Sequence, residues 1–149
     1  MDSMVEDKRF VHQLRVRYQE TDQMGVVYHA NYLNWLEIAR TEWIRELGIP
    51  YSQLEEKGLL LPVTDVQIKY IQPARYDDVI DVLLRIVDYS YLRVGFEYDV
   101  YRSIDNLLLL TGTTRHVWVN RDWKPVRLDR MMPELYELIS SEYKGLRSR

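Results

Sequence analysis

The apolar residues of this chain change their spacing twice, and the change leaves room for one long helix set among strands. From Phe10 to Gln19 the sequence alternates, with Phe10, Leu14, Val16 and Tyr18 on one side and Gln13, Arg15, Arg17 and Gln19 on the other, the period of a half-buried strand. Turn chemistry follows at Glu20-Thr21-Asp22-Gln23-Met24-Gly25. The spacing then becomes helical: Tyr32, Trp35, Leu36, Ala39 and Trp43 recur at 3.6-residue intervals, and Leu33, Ile44 and Leu47 widen the stripe. Gly48 and Pro50 stop this helix. So broad an apolar arc, with Asn34, Glu37, Thr41, Arg45 and Glu46 filling the remainder, belongs to a helix enclosed by sheet over much of its circumference. Tyr51 to Lys57 adds a short second helix ending at Gly58.

From Leu59 onward the pattern is that of four long strands, punctuated at residues 73–78, 89–91, 105–106 and 120–122. The clearest is Leu92 to Arg102, in which Leu92, Val94, Phe96, Tyr98 and Val100 alternate with Arg93, Gly95, Glu97, Asp99 and Tyr101. Short connections between strands make antiparallel meanders, so the last three are expected to pair in chain order. Pro133 opens a terminal helix with Leu135, Leu138 and Ile139 facing inward and Lys144, Arg147 and Arg149 in solvent. The expected fold is α+β, an antiparallel five-stranded sheet wrapped around one long central helix. Its 149 residues are read as a single domain, with residues 1–8 as an N-terminal tail and 145–149 as a basic C-terminal tail.

Composition narrows the chemistry. With 46% hydrophobic and 29% charged residues the chain is too apolar for disorder, and no apolar run approaches the ~18 residues that span a bilayer. Asp2, Glu6 and Asp7 at the start are unlike a secretory signal, so a cytoplasmic protein without membrane insertion is expected. Zero cysteine removes disulfides, thiolate metal sites and cysteine nucleophiles, and a net charge of −3 gives no general attraction to nucleic acid. There is no Gly-x-Ser-x-Gly, His-Glu-x-x-His or phosphate-binding glycine motif, and the three histidines, His12, His29 and His116, are too scattered for a metal centre. No metal or cofactor is expected. The aromatic content is weighted to 12 Tyr and 4 Trp against 2 Phe, residues with apolar bodies and polar tips. Much of the tyrosine surplus is expected on the outer sheet face, where a second subunit would cover it.

One stretch carries chemistry. Tyr18 to Arg40 delivers a carboxylate, Asp22, and a glycine, Gly25, just ahead of a buried helix. The first N–H groups of a helix have no internal acceptor and the macrodipole adds roughly half a positive charge there, so a polarised carbonyl oxygen is well received. Gly25 lets the backbone turn sharply beside a ligand. An Asp before a helix also serves as a cap or turn residue. Against that, the apolar period starts only near Tyr32, and Val26-Val27-Tyr28 is too apolar for a free surface loop and reads as the lining of a cleft. Tyr28 and Tyr32 suit an acyl pocket or plain aromatic packing. Glu37, an ionised group on an apolar element, has Arg40 at i+3 as its obvious partner, a structural ion pair rather than a cleft residue.

Thr21-Asp22-x-x-Gly25-Val26-Val27-Tyr28-His29-x-x-Tyr32, followed by Glu37-x-x-Arg40 and by Tyr70-x-x-Pro73-Ala74-Arg75-Tyr76-Asp77-Asp78, resembles the signature of the hotdog-fold thioesterases of the 4-hydroxybenzoyl-CoA thioesterase type. In wording it is closest to the acyl-CoA thioesterase group associated with the Tol-Pal system. The likeness covers most of residues 9–135. It implies hydrolysis of an acyl thioester to a carboxylate and a free thiol, without a cofactor, by dimers with active sites at the subunit interface and, by extension, by homotetramers. The residue matching Asp22 attacks the carbonyl or activates water. The residue matching His29 offers its backbone N–H at the helix start, and removing such a donor typically costs about 3 kcal/mol of transition-state stabilisation. Its imidazole is a second candidate for positioning Asp22 or protonating the thiolate. Gly25, Val26, Val27, Tyr28 and Tyr32 then contact substrate. The basic cluster that such enzymes carry between the two strands after the Pro-Ala motif is reduced here to Arg93, within Tyr89-Ser90-Tyr91-Leu92-Arg93. Either a residue such as Lys69 or Arg75 substitutes in holding CoA, or the acyl group arrives on an acyl carrier protein. A hotdog dehydratase or hydratase and a non-catalytic acyl-thioester binder are the other readings. The Asp22 to His29 spacing argues against the first, and the Asp22 carboxylate itself against the second.

Overall fold

The computed structural model describes residues 10–147. Strand β1 (Phe10–Arg15) leads through a 3-10 turn (Tyr18–Glu20) and a loop into α1 (Ala30–Glu46), followed by α2 (Tyr51–Glu56). Four strands come next, β2 (Val63–Tyr70), β3 (Val79–Tyr89), β4 (Arg93–Arg102) and β5 (Leu107–Val117), and then α3 (Leu128–Met131) and α4 (Pro133–Arg147). The sheet is antiparallel in the order β1-β3-β4-β5-β2, so the last three strands pair in chain order and β1 and β2 form opposite edges. This is the hotdog arrangement.

Alternation decides which side of each strand meets α1. Ile80, Val82, Leu84 and Ile86 of β3 and Val94, Phe96, Tyr98 and Val100 of β4 point inward, onto a helix whose Trp35, Leu36, Ala39, Trp43 and Ile44 are buried. Trp43 meets Phe96 edge to face with ring centroids 5.2 Å apart. Each such large side chain contributes about 1.5–3 kcal/mol on burial, which outweighs the modest helix propensity of two Trp and a Tyr in one helix. At Gly112 a Cβ would lie 3.2 Å from the Gln67 carbonyl of β2 and 3.5 Å from Leu36 Cδ1 of α1, so a side chain there would crowd the neighbouring strand.

Three expectations need correction. The first strand ends at Arg15 rather than Gln19, and although Val16 is buried as expected, Tyr18 is 74% exposed. The chain turns because the backbone N–H groups of Glu20 and Thr21 close onto the carbonyls of Arg17 and Tyr18, at 3.0 Å each. Little of the tyrosine surplus reaches the outer sheet face: Tyr101 alternates onto it, but Tyr98 is buried beneath α1, and Tyr89 is stacked on Tyr136 of α4, with ring centroids 5.5 Å apart. The outer face instead carries charged pairs, among them Arg85 with Glu97 and Arg115 with Asp88. Finally, α4 runs to Arg147, so residues 145–147, expected as tail, continue the helix. The expected N-terminal tail and the side chains of Lys144, Arg147 and Arg149 lie outside the described part.

A polar layer crosses the core under the middle of α1. The Tyr98 hydroxyl and the His116 Nε2 both hydrogen-bond the Thr114 hydroxyl, at 2.8 and 2.9 Å, and Arg40, itself buried, pairs with Glu37 at 3.6 Å as expected from their spacing. Burial, with the nearby Arg40 charge adding to it, holds the His116 imidazole down at about 4 from an ordinary 6.5. Between those two values the unfolded chain binds a proton that the folded chain refuses, so stability falls as pH drops from 6.5 towards 4, by up to roughly 3 kcal/mol. A His116→Asn variant is therefore expected to lose less stability than wild type between pH 7 and pH 4.5, as measured by urea midpoints at the two values.

Candidate active site

The loop between the 3-10 turn and α1 is stitched into a closed hairpin-like arc. Thr21 bridges Val27, the Asp22 N–H reaches the Val26 carbonyl at 2.9 Å, and the Gly25 N–H returns to the Asp22 carbonyl at 3.0 Å. Gly25 takes a φ of +81°, the left-handed conformation that a side chain disfavours. Asp22 Oδ1 accepts the Met24 N–H at 2.8 Å, which fixes the carboxylate as an Asx turn, while Oδ2 has no hydrogen-bond partner among the described residues. The turn role and the chemical role are thus both available to one side chain, but capping is not: His29 occupies the N-cap of α1, and no side chain caps that end.

The start of α1 is left open. Asn31 and Tyr32 donate to the carbonyls of Tyr28 and His29, whereas the N–H groups of His29 and Ala30 find no acceptor among the described residues. Tyr70, at the end of edge strand β2, donates its hydroxyl to the His29 carbonyl at 3.3 Å and holds that peptide in place.

These groups share one cavity of about 280 Å³, walled by Asp22, Met24, Val26, Val27, His29, Tyr32, Tyr70, Ile71, Gln72 and Pro73. Its far wall is tied to its near wall. The Val27 N–H donates to the Ala74 carbonyl at 2.9 Å, and the Ala74 N–H donates to the Tyr32 hydroxyl at 3.0 Å. Burial, reinforced more weakly by the charge of Asp22, raises the Tyr32 phenol above its usual range, so it stays a neutral wall. A larger hollow of 540 Å³ lies on the outer sheet face over Arg85, Glu97 and Asp99, but no helix terminus lines it. Among the described residues, no three His, Asp or Glu side chains converge as metal ligands.

Of the residues singled out from the sequence, Asp22, Val26, Val27, His29 and Tyr32 wall this cavity together. Gly25 shapes its loop from outside, and Tyr28 packs its ring on His29, centroids 4.6 Å apart, without walling the cavity. Arg93 is not brought here. It pairs with Val117, seven positions along β5 from the Leu110 that faces Tyr70, which places it roughly 24 Å away down the sheet. Glu37 and Arg40 also lie elsewhere. Tyr70, Ile71, Gln72 and Pro73 supply the wall that residue chemistry alone did not reveal, although Tyr70 and Pro73 stand in the recognised motif.

Glu20 is the positioning residue that went unnoticed. Only 8% exposed, it accepts the Arg17 N–H at 2.8 Å through one oxygen and the Trp35 indole N–H at 3.0 Å through the other. Its backbone carbonyl takes the Tyr28 N–H and the Asn31 side-chain amide, both at 2.9 Å. A carboxylate two places before Asp22 is the one sequence signal for this role.

Residues 16–138 match the family model of the thioesterase-like superfamily. The chain belongs to this superfamily. Thioester hydrolysis is accordingly its enzyme class. This thioesterase-like chain is 40% identical to a putative acyl-CoA thioesterase, YneP, of Bacillus subtilis over 82% of its own length and 88% of the relative's. It is 37% identical to the acyl-CoA thioesterase YbgC of Haemophilus influenzae, over 72% and 78% of the two chains. Among solved structures it superposes on a DHNA-CoA thioesterase from Staphylococcus aureus with a TM-score of 0.88, at 35% identity, over 94% and 93% of the chains.

Since Glu20 joins the Asp22 loop to α1, Glu20→Ala is expected to destabilise the protein by about 2–3 kcal/mol, because it strands a buried indole N–H. Glu20→Gln, which retains an acceptor oxygen, is expected to lose less. Urea denaturation of the two variants alongside wild type measures the difference.

Proposed function

We propose that the protein hydrolyses acyl-CoA thioesters, with Asp22 as the reacting carboxylate and the N–H groups of His29 and Ala30 as the carbonyl's polarising donors. The observation that carries this reading is the meeting, in one largely apolar cavity, of a carboxylate with one unclaimed oxygen and a helix terminus with unclaimed N–H groups. The relatives named as acyl-CoA thioesterases support it. The motif over residues 21–32 also resembles that of the Tol-Pal-associated enzymes, which supports the same chemistry.

Chemically the arrangement works as follows. The thioester carbonyl points its oxygen at the start of α1, where fixed dipoles favour the negative charge that develops as the carbonyl becomes tetrahedral. The free Asp22 oxygen faces the carbonyl carbon. It either attacks directly, forming a mixed anhydride that water then opens, or takes a proton from an attacking water. Both routes end with the C–S bond broken and a thiolate released, which needs little acid assistance at neutral pH. The Met24 N–H fixes the Asp22 carboxylate, the His29 ring stands at the rim against Tyr70, and Val26, Val27 and Ile71 keep bulk water from the acyl group. Gly25 and Tyr28 shape the loop around it. Asp22→Asn is expected to lower kcat by roughly 10²–10⁴-fold without unfolding the protein. The measurement is thiol release from short-chain, aromatic and long-chain acyl-CoAs and acyl carrier proteins. Absence of release from every carrier by wild type, or an equally active Asp22→Asn protein, overturns the assignment.

We propose, too, that the working unit is a homodimer joined along β2, with pairs of dimers forming homotetramers. Strand β2 is eight residues long, stands at the sheet edge and is exposed along nearly its whole length, with Val63, Val66 and Tyr70 uncovered. An edge of that length with apolar side chains and no bulge at its centre is a template for a second strand. Tyr70 lies in it, so pairing there brings the second subunit against the cavity wall. Light scattering is expected to give two or four times the 18.0 kDa chain mass, and Val66→Pro, which removes a ladder N–H, is expected to shift the mass to that of a single chain.

A further inference from the structure

The two segments that wall the catalytic cavity both continue into a second cleft of about 340 Å³, lined by Arg15, Val16, Arg17, Tyr18, Gln19, Tyr76 and Asp77. Tyr18 lies four residues before Asp22, and Tyr76 three residues after Pro73. Four residues of chain span at most about 14 Å, a distance the pantetheine arm of coenzyme A can cover. The rings of Tyr18 and Tyr76 are 74% and 58% exposed, and they meet edge to face, centroids 5.7 Å apart at 89°. Such a corner lets a third flat group lie on one ring while its edge meets the face of the other.

Cations frame the corner. Arg17 is 66% exposed at its side chain, and among the described residues its one ion pair is a loose 3.6 Å contact to Glu20, whose oxygens already serve Arg17 N–H and Trp35. Among the described residues, most of its guanidinium donors have no partner. Arg15 holds Asp77 at 3.3 Å, which neutralises the one carboxylate lining the cleft, and Arg75 stands exposed beside Tyr76. Three guanidinium groups thus surround two exposed aromatic rings, with Asp77 and Glu20 already engaged by Arg15 and Arg17.

We propose that this corner binds the nucleotide of coenzyme A, the adenine stacked on the face of one of the two tyrosines with its edge against the other and the phosphates paired with Arg17 and Arg15. The inference rests on the acyl-CoA thioesterase reading and gives that reading a carrier. It also accounts for the missing basic cluster near Arg93: the phosphate-binding charge is present, but at the other side of the catalytic loop. Base stacking on an aromatic ring is sequence-tolerant and strong, and guanidinium groups pair phosphate oxygens in a planar fork.

The test compares kcat/KM for one acyl group carried on coenzyme A, on pantetheine and on an acyl carrier protein. Wild type is expected to favour the coenzyme A ester over the pantetheine ester roughly ten-fold or more, through KM, and Tyr18→Ala and Tyr76→Ala to collapse that ratio towards one. Tyr18→Phe is expected to keep the ratio, since the ring face is retained. A loss of folding would depress both esters together and leave the ratio standing. For that case, adenosine 3′,5′-bisphosphate on wild type gives a second reading: it is expected to compete with the coenzyme A ester and not with the pantetheine ester. Equal efficiency on coenzyme A and pantetheine esters, a clear preference for the carrier protein, or an undiminished ratio in both alanine variants overturns the nucleotide site and leaves the thioesterase standing. Failure to release thiol from any carrier overturns the thioesterase reading, and this one with it.

Discussion

Seventeen residues of α1 carry seven buried side chains, and the sheet exists in its curved form because that helix must be covered on several sides at once. Apolar burial supplies most of the stability, as the inward faces of β3 and β4 close on Trp35, Leu36, Ala39 and Ile44. Everything chemical is then hung from the ends of this packing. A helix pinned along its length has a first turn whose position is known to within the tolerance of the core, which is what a set of backbone donors needs in order to polarise a carbonyl.

The second constraint is a single buried carboxylate. Glu20 binds the indole of Trp35 from the core helix and the backbone of Arg17 just after β1, and its carbonyl gathers Tyr28 and Asn31. The loop carrying Asp22 is thereby fastened to α1 at both of its ends. A buried carboxylate without such partners would be costly, so the hydrogen bonds that satisfy Glu20 and the geometry that presents Asp22 are one and the same arrangement. Glu20 holds the loop, and Asp22, with one oxygen tied to Met24 and the other without a hydrogen-bond partner among the described residues, is the carboxylate that the proposed mechanism uses.

Polar chemistry is segregated in layers along α1. The open N-terminus and Asp22 lie at one end, while the Arg40, Glu37, Thr114 and His116 layer crosses the core farther down and does not reach the cavity. The edge strand β2 runs beside both, with Tyr70 at the cavity end. Charge on the outer sheet face includes internal pairs, while edge strand β2 leaves Val63, Val66 and Tyr70 uncovered. Catalytic cavity, aromatic corner and free edge thus lie around the same loop.

Much of this was readable from residue spacing. The single helical stripe between alternating runs pointed to one sheet wrapped on one helix, because a helix apolar on most of its circumference demands a wrapping sheet, and the motif's resemblance supplied the hotdog fold. The Glu37 and Arg40 pair followed from i+3 geometry, and Asp22, Val26, Val27, His29 and Tyr32 came together from one local motif whose residues are neighbours in the chain. Other features required the tertiary structure. Tyr18 breaks the alternation that Phe10 to Val16 obeys, since the bonds closing the 3-10 turn depend on Glu20 being held by a tryptophan fifteen residues away. The far cavity wall from Tyr70 to Pro73, the displacement of Arg93 to the opposite end of the sheet, and the meeting of Tyr18 with Tyr76 all depend on strand order and register. Sequence by itself determined the elements and the local carboxylate-to-helix geometry, because both are set by contacts within a few residues. Only the tertiary structure decided which distant side chains enclose the site, because that is a property of how strands pair, and the period-two pattern is the same for any partner.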